Sequence, residues 1–244
     1  MMQSNNALLG VIGGLGPVAT AYFMELVTVM TDARVDQEHL PMLVYSMPSI
    51  PDRTRYILDN TQPDPLPEML RIGNFLAQQG AQRIAIPCVT AHYFIQKLEE
   101  SIPVPLLNGV RETVMHLKEQ GITRVGIMAT DGTIRSGIFR TELENCGLEA
   151  IEPSAARQAD VMHLIFENVK AAEPADMEKF HAVRRELQEK GAQAIILGCT
   201  ELSLIKRDYA IGAGFVDAME VLAQQAVLQC GMPLKKEFYS LISK

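Results

Sequence analysis

The sequence predicts an α/β fold of mostly parallel sheets flanked by helices, with one unit repeated in each half of the chain. Three observations carry this reading. Short apolar runs alternate with helix-length segments along the chain, the pattern of strand–helix–strand units. The 244 residues are 48% hydrophobic and 21% charged, enough apolar side chains for two modest cores. One unit also occurs twice: GAQRIAIPCVT at 80–90 and GAQAIILGCT at 191–200, which puts a cysteine, Cys88 and then Cys199, at the end of a Gly–strand run once in each half.

Taken in order, ALLGVIGG (7–14) reads as a buried strand closed by glycines. PVATAYFMELVTVMTDAR (17–34) is a helix with Pro17 in its first turn, where a missing N–H costs nothing. PMLVYSM (41–47) is a second short apolar run, and 51–67, with its several prolines, is loop-rich. PEMLRIGNFLAQQG (67–80) is an amphipathic helix stopped by Gly80. RIAIP then leads to Cys88, and TAHYFIQKLEE continues as a helix. In the second half RVGIMATDGT (124–133) is a strand running into a polar turn, and RSGIFRTELENCG (135–147) a helix. A helical region covers 156–190 with a break expected at Pro174. AQAIILG delivers Cys199, and 213–229 is a short strand and a closing helix. That last helix is expected to return to the first half, making 1–105 plus 213–244 one domain and 106–212 the other.

Composition narrows the function. A net charge of −7 speaks against nucleic acid, which needs clustered Lys and Arg. No apolar run reaches the ~18 residues of a membrane span. The N-terminus lacks the basic and apolar stretches of a signal peptide. The four cysteines, at 88, 146, 199 and 230, form no CxxC pair and fit neither a disulfide framework nor a zinc site. A cytoplasmic protein with free thiols is the expectation, with no metal and no cofactor.

In parallel sheets ligands bind beyond the carboxyl ends of the strands. Gly13–Gly14, Ser46, Cys88, Thr130, Cys199 and Asp217 all fall at such ends, so one site is expected to collect them. GGLGPVA (13–19) matches the G-x-G-x-x-G/A dinucleotide pattern through Gly14, Gly16 and Ala19, but no acid ends the second strand, and Asp36 follows a helix instead. The loop at Gly14 and Leu15 reads better as backbone N–H groups at a helix start, suited to a carboxylate. No GxxxxGK[ST] occurs.

Each of the paired cysteines ends a strand and precedes a helix, a place that draws a thiol towards ionisation from its free value near ~8.5. Two such thiols facing each other could remove a proton from one face of a carbon and return one to the other. Equally, both could be core residues, repeated because the fold is repeated. Cys146, in a helix stop, and Cys230, near the last helix, read as structural. Arg53 follows the second strand and has the fork for a carboxylate, or is a surface arginine. Lys170, at a helix end, fits a purely structural cation well. The five histidines show no ligand spacing; His92, four residues after Cys88, could contact the thiol or bridge backbone groups.

With GVIGGLGPVAT, the PDRT loop, PCVTAH, MATDGTIRSG, IFENVK and LGCTEL in hand, the chain resembles the cofactor-independent aspartate/glutamate racemase family nearly end to end. The resemblance implies two α/β domains around a cleft, commonly in a homodimer. It implies Cys88 and Cys199 as the two proton-transfer groups, Arg53 and Lys170 on the acidic side chain of the substrate, and Thr90, Thr130 and Thr200 on its α-carboxylate and amine. The sequence departs from the family at Val89, where CVT replaces the usual CNT, and at Asp217–Ala218, where Asp-Thr is usual. Both changes are expected at the pocket rather than at the thiols. The expected function is racemisation of a small acidic amino acid without pyridoxal phosphate, aspartate before glutamate, with cysteate possible. Two rivals stay open: a cis–trans isomerase of a small unsaturated diacid such as maleate, and a non-catalytic dicarboxylate-binding protein.

Overall fold

The computed structural model describes residues 7–244. It contains two parallel sheets. The first has the order β2-β1-β3 and the second β5-β4-β6-β7. Their strands are β1 Leu9–Gly13, β2 Met42–Ser46, β3 Arg83–Ala85, β4 Arg124–Ala129, β5 Glu149–Ile151, β6 Ala194–Gly198 and β7 Phe215–Asp217. Every ladder within them is parallel. The central strands β1 and β6 are buried along their full length, which is why they read as unbroken apolar runs rather than as alternation.

Crossover helices cover the sheets. They are α1 Pro17–Met30, α2 Arg53–Leu58, α3 Leu66–Gln78, α4 Ile95–Ser101, α5 Gly109–Glu119, α6 Asp131–Ser136, α7 Ile138–Asn145, α8 Ala155–His163, α9 Met177–Glu189, α10 Thr200–Asp208 and α11 Ala218–Gln229. A π-helical segment, Leu164–Val169, extends α8, and the break before α9 falls around Pro174 as expected.

Four elements differ from the sequence reading. The stretch 51–67 is not all loop: Asp52 accepts a hydrogen bond from the Arg55 N–H and caps α2. The helix expected at 135–147 is two helices, because Gly137 takes φ 68° and turns the chain between α6 and α7. The segment after Cys88 begins as a 3-10 turn, Val89–Phe94, before α4. The strand β7, grouped by the sequence reading with the first half, pairs with β6 in the second sheet. The helix after it, α11, packs on α1 from the first half and on α5 from the second.

That shared helix joins the halves. One continuous apolar cluster runs from Leu9, Phe23 and Met30 through Val114 and Val227 to Ile127, Ile196 and Val216. Each such side chain contributes about 1.5–3 kcal/mol on burial. A satellite cluster around Met69, Ile84 and Phe94 backs the first sheet, and another around Phe180, Leu197 and Phe215 backs the second. Among the described residues no helix is long and apolar enough to cross a membrane.

The turn after β1 is held tightly. Gly14 has φ +89°, and a Cβ there would lie 2.4 Å from the Met47 backbone nitrogen. Its N–H donates to Thr20 Oγ1 at 2.8 Å. Gly14→Ala should therefore lower stability by about 2 kcal/mol or more, through a disfavoured φ and a backbone clash together. Chemical denaturation of the variant beside the wild type measures this.

Candidate active site

The site lies where the carboxyl ends of the two sheets meet. Beyond β3 the chain reaches Cys88, and beyond β6 it reaches Cys199, which is the N-cap of α10. Both cysteines line one narrow cavity, together with Leu15, Asp52, Arg53, Thr54, Val89, Thr90, Thr130, Lys170, Thr200 and Glu201. A wider vestibule, walled by Gly14, Leu15, Val18, Ile50, Val169 and Leu204, shares Arg53, Lys170 and Glu201 with it. Gly14 thus borders the vestibule, Leu15, Arg53, Cys88, Thr90, Thr130, Lys170, Cys199 and Thr200 border the inner cavity, and Gly13 borders neither. Ser46 and Asp217 are not on either wall. Ser46 is exposed at the end of β2, an outer strand, and Asp217 is fully buried. Asp217 Oδ1 accepts from Ser203 Oγ and from the Met219 N–H and so caps α11, while Oδ2 is buried without a partner.

The polar side chains of the cavity are already paired with one another. Thr90, from the first half, meets Thr130 at 3.1 Å and Thr133 at 3.0 Å, both from the second, and Thr130 and Thr133 are 3.1 Å apart. Thr130 also caps α6 by accepting from the Thr133 N–H. Thr133 had no signal in the sequence beyond its place one turn after a strand end. Gly132 lets α6 approach α2 here, since a Cβ would come within 2.9 Å of Thr54 Cα.

Arg53 is used differently from the sequence reading. Its guanidinium donates to the carbonyls of Ile50 at 3.3 Å, Pro51 at 3.1 Å and Leu15 at 3.1 Å, leaving only Nε without a partner. The fork thus ties the β1–α1 loop to the start of α2 through Nη1 and Nη2, and Nε is the nitrogen left for a ligand. Lys170 is freer. Its side chain is a third exposed, its Nζ lies 3.9 Å from Glu201 Oε1, and it sits over the Phe166 ring. Of the expected anion loop, the Gly14 N–H is taken by Thr20.

Glu201 was not singled out in the sequence, where it follows the second cysteine as a helix residue. It is 6% exposed. The Cys199 thiol donates to its Oε2 at 2.8 Å, and Thr200 Oγ1 donates to the same oxygen at 3.1 Å. The expected pull of a helix N-terminus towards ionisation is overridden at Cys199. Burial first, and the Glu201 charge second, push this thiol well above its ordinary value, with Lys170 opposing them. Cys230, remote from the cavity, is pushed up to about 11 by burial.

His92 resolves into a brace. Its Nε2 lies 3.0 Å from the Gly109 N–H, which can only donate, so Nδ1 carries the proton and donates to the Cys88 carbonyl at 3.0 Å. The ring is buried and neutral, and burial pulls its pKa below 6.5. Behind Cys88 a second small cavity is lined by Val89, His92, Gly109, Ala218 and Met219. Among the described residues no cluster of His, Cys, Asp and Glu could hold a metal ion.

Fold and cavity together define a two-domain α/β protein with paired thiols at the meeting of its sheets. Residues 12–226 match the Asp/Glu/Hydantoin racemase family. In sequence the chain is similar to the broad specificity amino-acid racemase RacX of Bacillus subtilis (strain 168), 27% identical over 228 residues, which are 90% of this chain and 96% of that one. In structure it is similar to Picrophilus torridus aspartate racemase, with 31% identity and a TM-score of 0.82 over 95% of this chain and 97% of that one. It shares its fold, at 16% identity and a TM-score of 0.66, with the Francisella tularensis subsp. tularensis SCHU S4 glutamate racemase in complex with D-glutamate, over 92% of this chain and 81% of that one. The chain belongs to the Asp/Glu/hydantoin racemase family, and with it to the amino-acid racemases, which are isomerases.

Two outcomes follow from the braces. Arg53→Ala removes three backbone partners and should cost about 1–3 kcal/mol of stability, read by denaturant unfolding. His92 is neutral when folded and protonates more readily when unfolded. Its contribution is therefore fully present above pH 6.5, the unfolded value, and is lost as pH falls towards the depressed folded value. The stability difference between wild type and His92→Gln should accordingly shrink as pH is lowered through that window, measured by thermal unfolding at a series of pH values.

Proposed function

We propose that this racemase acts on a small acidic amino acid, aspartate before glutamate or cysteate, by two-thiol proton transfer at Cα. The observation that carries the reading is that Cys88 and Cys199, supplied by the two copies of one repeated unit, line a single narrow cavity. In this reading the substrate lies between the sulfurs. One, as thiolate, takes the α-proton, and the negative charge that develops spreads onto the α-carboxylate. The opposite thiol then gives its proton to the other face of the carbon. Each sulfur ends in the protonation state from which the reverse reaction starts, as an enzyme serving both enantiomers requires.

Backbone N–H groups at the Leu15 turn and the hydroxyls of Thr90, Thr130 and Thr200 are the groups suited to the α-carboxylate and amine, since donors fixed in advance need not reorganise as charge develops. Lys170, with Glu201 near the edge of contact at 3.9 Å, is the cation suited to the distal acid of the substrate. The Arg53 Nε–H, buried and without a partner, is a second donor for it. The homodimer implied by the resemblance belongs to this reading and is read out by sedimentation.

Cys88→Ala and Cys199→Ala should each lower racemisation of aspartate by about a hundredfold or more. Each variant should still exchange the α-hydrogen of one enantiomer in heavy water. Chiral chromatography with mass detection reads both quantities. Full racemisation by either variant overturns the two-thiol mechanism. Turnover of maleate with a covalent adduct on a cysteine would favour the isomerase of unsaturated diacids, and thermal stabilisation by dicarboxylates without turnover would favour a binding protein.

A further inference from the structure

The two sulfurs of the cavity are not in equivalent surroundings. Cys199 Sγ has a carboxylate oxygen 2.8 Å away, on the residue two places further along its own helix. Among the described residues Cys88 Sγ has no such partner. Thr200 Oγ1 donates to the same Oε2, which holds that oxygen of the Glu201 carboxylate at the thiol, while Lys170 Nζ lies 3.9 Å from Oε1. Glu201 itself is 6% exposed and lines the cavity. A carboxylate so placed accepts a hydrogen bond from a thiol and repels a thiolate, so its position selects between the two states of the sulfur.

We propose that Glu201 holds Cys199 as a protonated thiol in the resting enzyme, so that the exchangeable proton of the site waits on the Cys199 side of the cavity. The proposal rests on the two-thiol reading for its catalytic meaning, though not for its chemistry at the sulfur. The resting enzyme is thereby set to accept the enantiomer whose α-hydrogen faces Cys88 and to protonate the carbanion from the Cys199 side. For the other enantiomer the Cys199 proton must first leave.

The charged and titratable groups facing Cys199 are Glu201 on α10, Lys170 after the π-helical segment, Asp52 and Arg53 at the start of α2, and Cys88 across the cavity. Burial and Glu201 act on the thiol in one direction and Lys170 in the other. Arg53 is tied to three carbonyls and Asp52 to the N-terminus of α2, so neither moves towards the sulfur in this arrangement.

The test is the pH dependence of alkylation by iodoacetamide, site by site, read by peptide mass spectrometry so that Cys146 and Cys230 are counted apart. In the otherwise wild-type protein Cys199 should alkylate with a midpoint above the free-thiol value of ~8.5. A midpoint at or below that value overturns the proposal without any change at Glu201. In a Cys88→Ala background, Glu201→Gln should move the Cys199 midpoint down by about one pH unit, a roughly tenfold larger thiolate fraction below the midpoint. Glu201→Ala should move it the same way. In a Cys199→Ala background, Glu201→Gln should move the Cys88 midpoint much less. A looser structure would relieve burial at both sulfurs and so lower the Cys88 midpoint along with that of Cys199. An unmoved Cys199 midpoint in both Glu201 variants, or one that rises, refutes the role.

The alkaline limb of racemisation, where the donor thiol loses its proton, should also shift to lower pH in Glu201→Gln with Cys88 intact. Because alkylation needs no amino acid, the two readings separate. The midpoint shift without racemisation sinks the proposed function alone, and racemisation without the shift sinks the role of Glu201 alone.

Discussion

The cavity depends on two separate sheets being held with their carboxyl ends together. Neither sheet does this alone, since no strand of one pairs with a strand of the other. The joint is made by α11, which packs on α1 and α5, and by the threonine triangle of Thr90, Thr130 and Thr133 across the cavity itself. The apolar cluster shared by both halves supplies the bulk of the attraction, because burial scales with area and not with direction. Direction comes from the hydroxyls. Three side-chain oxygens about 3 Å apart fix the threonines relative to one another, and the start of the turn after Cys88 with them.

The same economy governs the charges. Arg53 serves three carbonyls, Asp52 caps a helix, and Glu201 accepts from a thiol and a hydroxyl. Buried polar groups need partners, and in this cavity all but the Arg53 Nε–H find them among their neighbours. A ligand must therefore exchange partners with residues already engaged, and Lys170, a third exposed and 3.9 Å from its acid, is the group that gives way most cheaply. The side chains best placed by sequence to hold an anion are thus not equally free to do so.

Much of this was legible in the residues. The repeated Gly–strand–Cys unit located both thiols, because a strand buried on both faces leaves an unmistakable apolar run and the residue after it is forced to the carboxyl edge. The break at Pro174 was legible for the reason that proline cannot continue a helix. What escaped was set by partners distant in sequence. Six residues of α2 hide among prolines because one capping aspartate starts them. β7 joins the second sheet because its neighbour β6 offers an open edge, which no local pattern announces. Arg53 looked like a carboxylate fork because its true acceptors are main-chain carbonyls, one of them 38 residues away. Glu201 drew no reading of its own from the sequence, and it is the placing of the start of α10 at the cavity that buries it there.

The two departures from the family's motifs are neighbours in space. Val89, where an asparagine is usual, and Ala218, where a threonine is usual, both line the small cavity behind Cys88, beside His92 and Met219. A buried amide at 89 would need donors and acceptors nearby, and an unpaired one costs about 1–3 kcal/mol. Here both positions are apolar, and Asp217 Oδ2, next in the chain to Ala218, is buried without a partner. Val89, Ala218 and Met219 make the wall behind Cys88 largely apolar beside the His92 brace on the Cys88 carbonyl, while the Cys199 side carries a carboxylate, a hydroxyl and a cation. The asymmetry between the sulfurs is thus carried by both walls, one apolar and one charged.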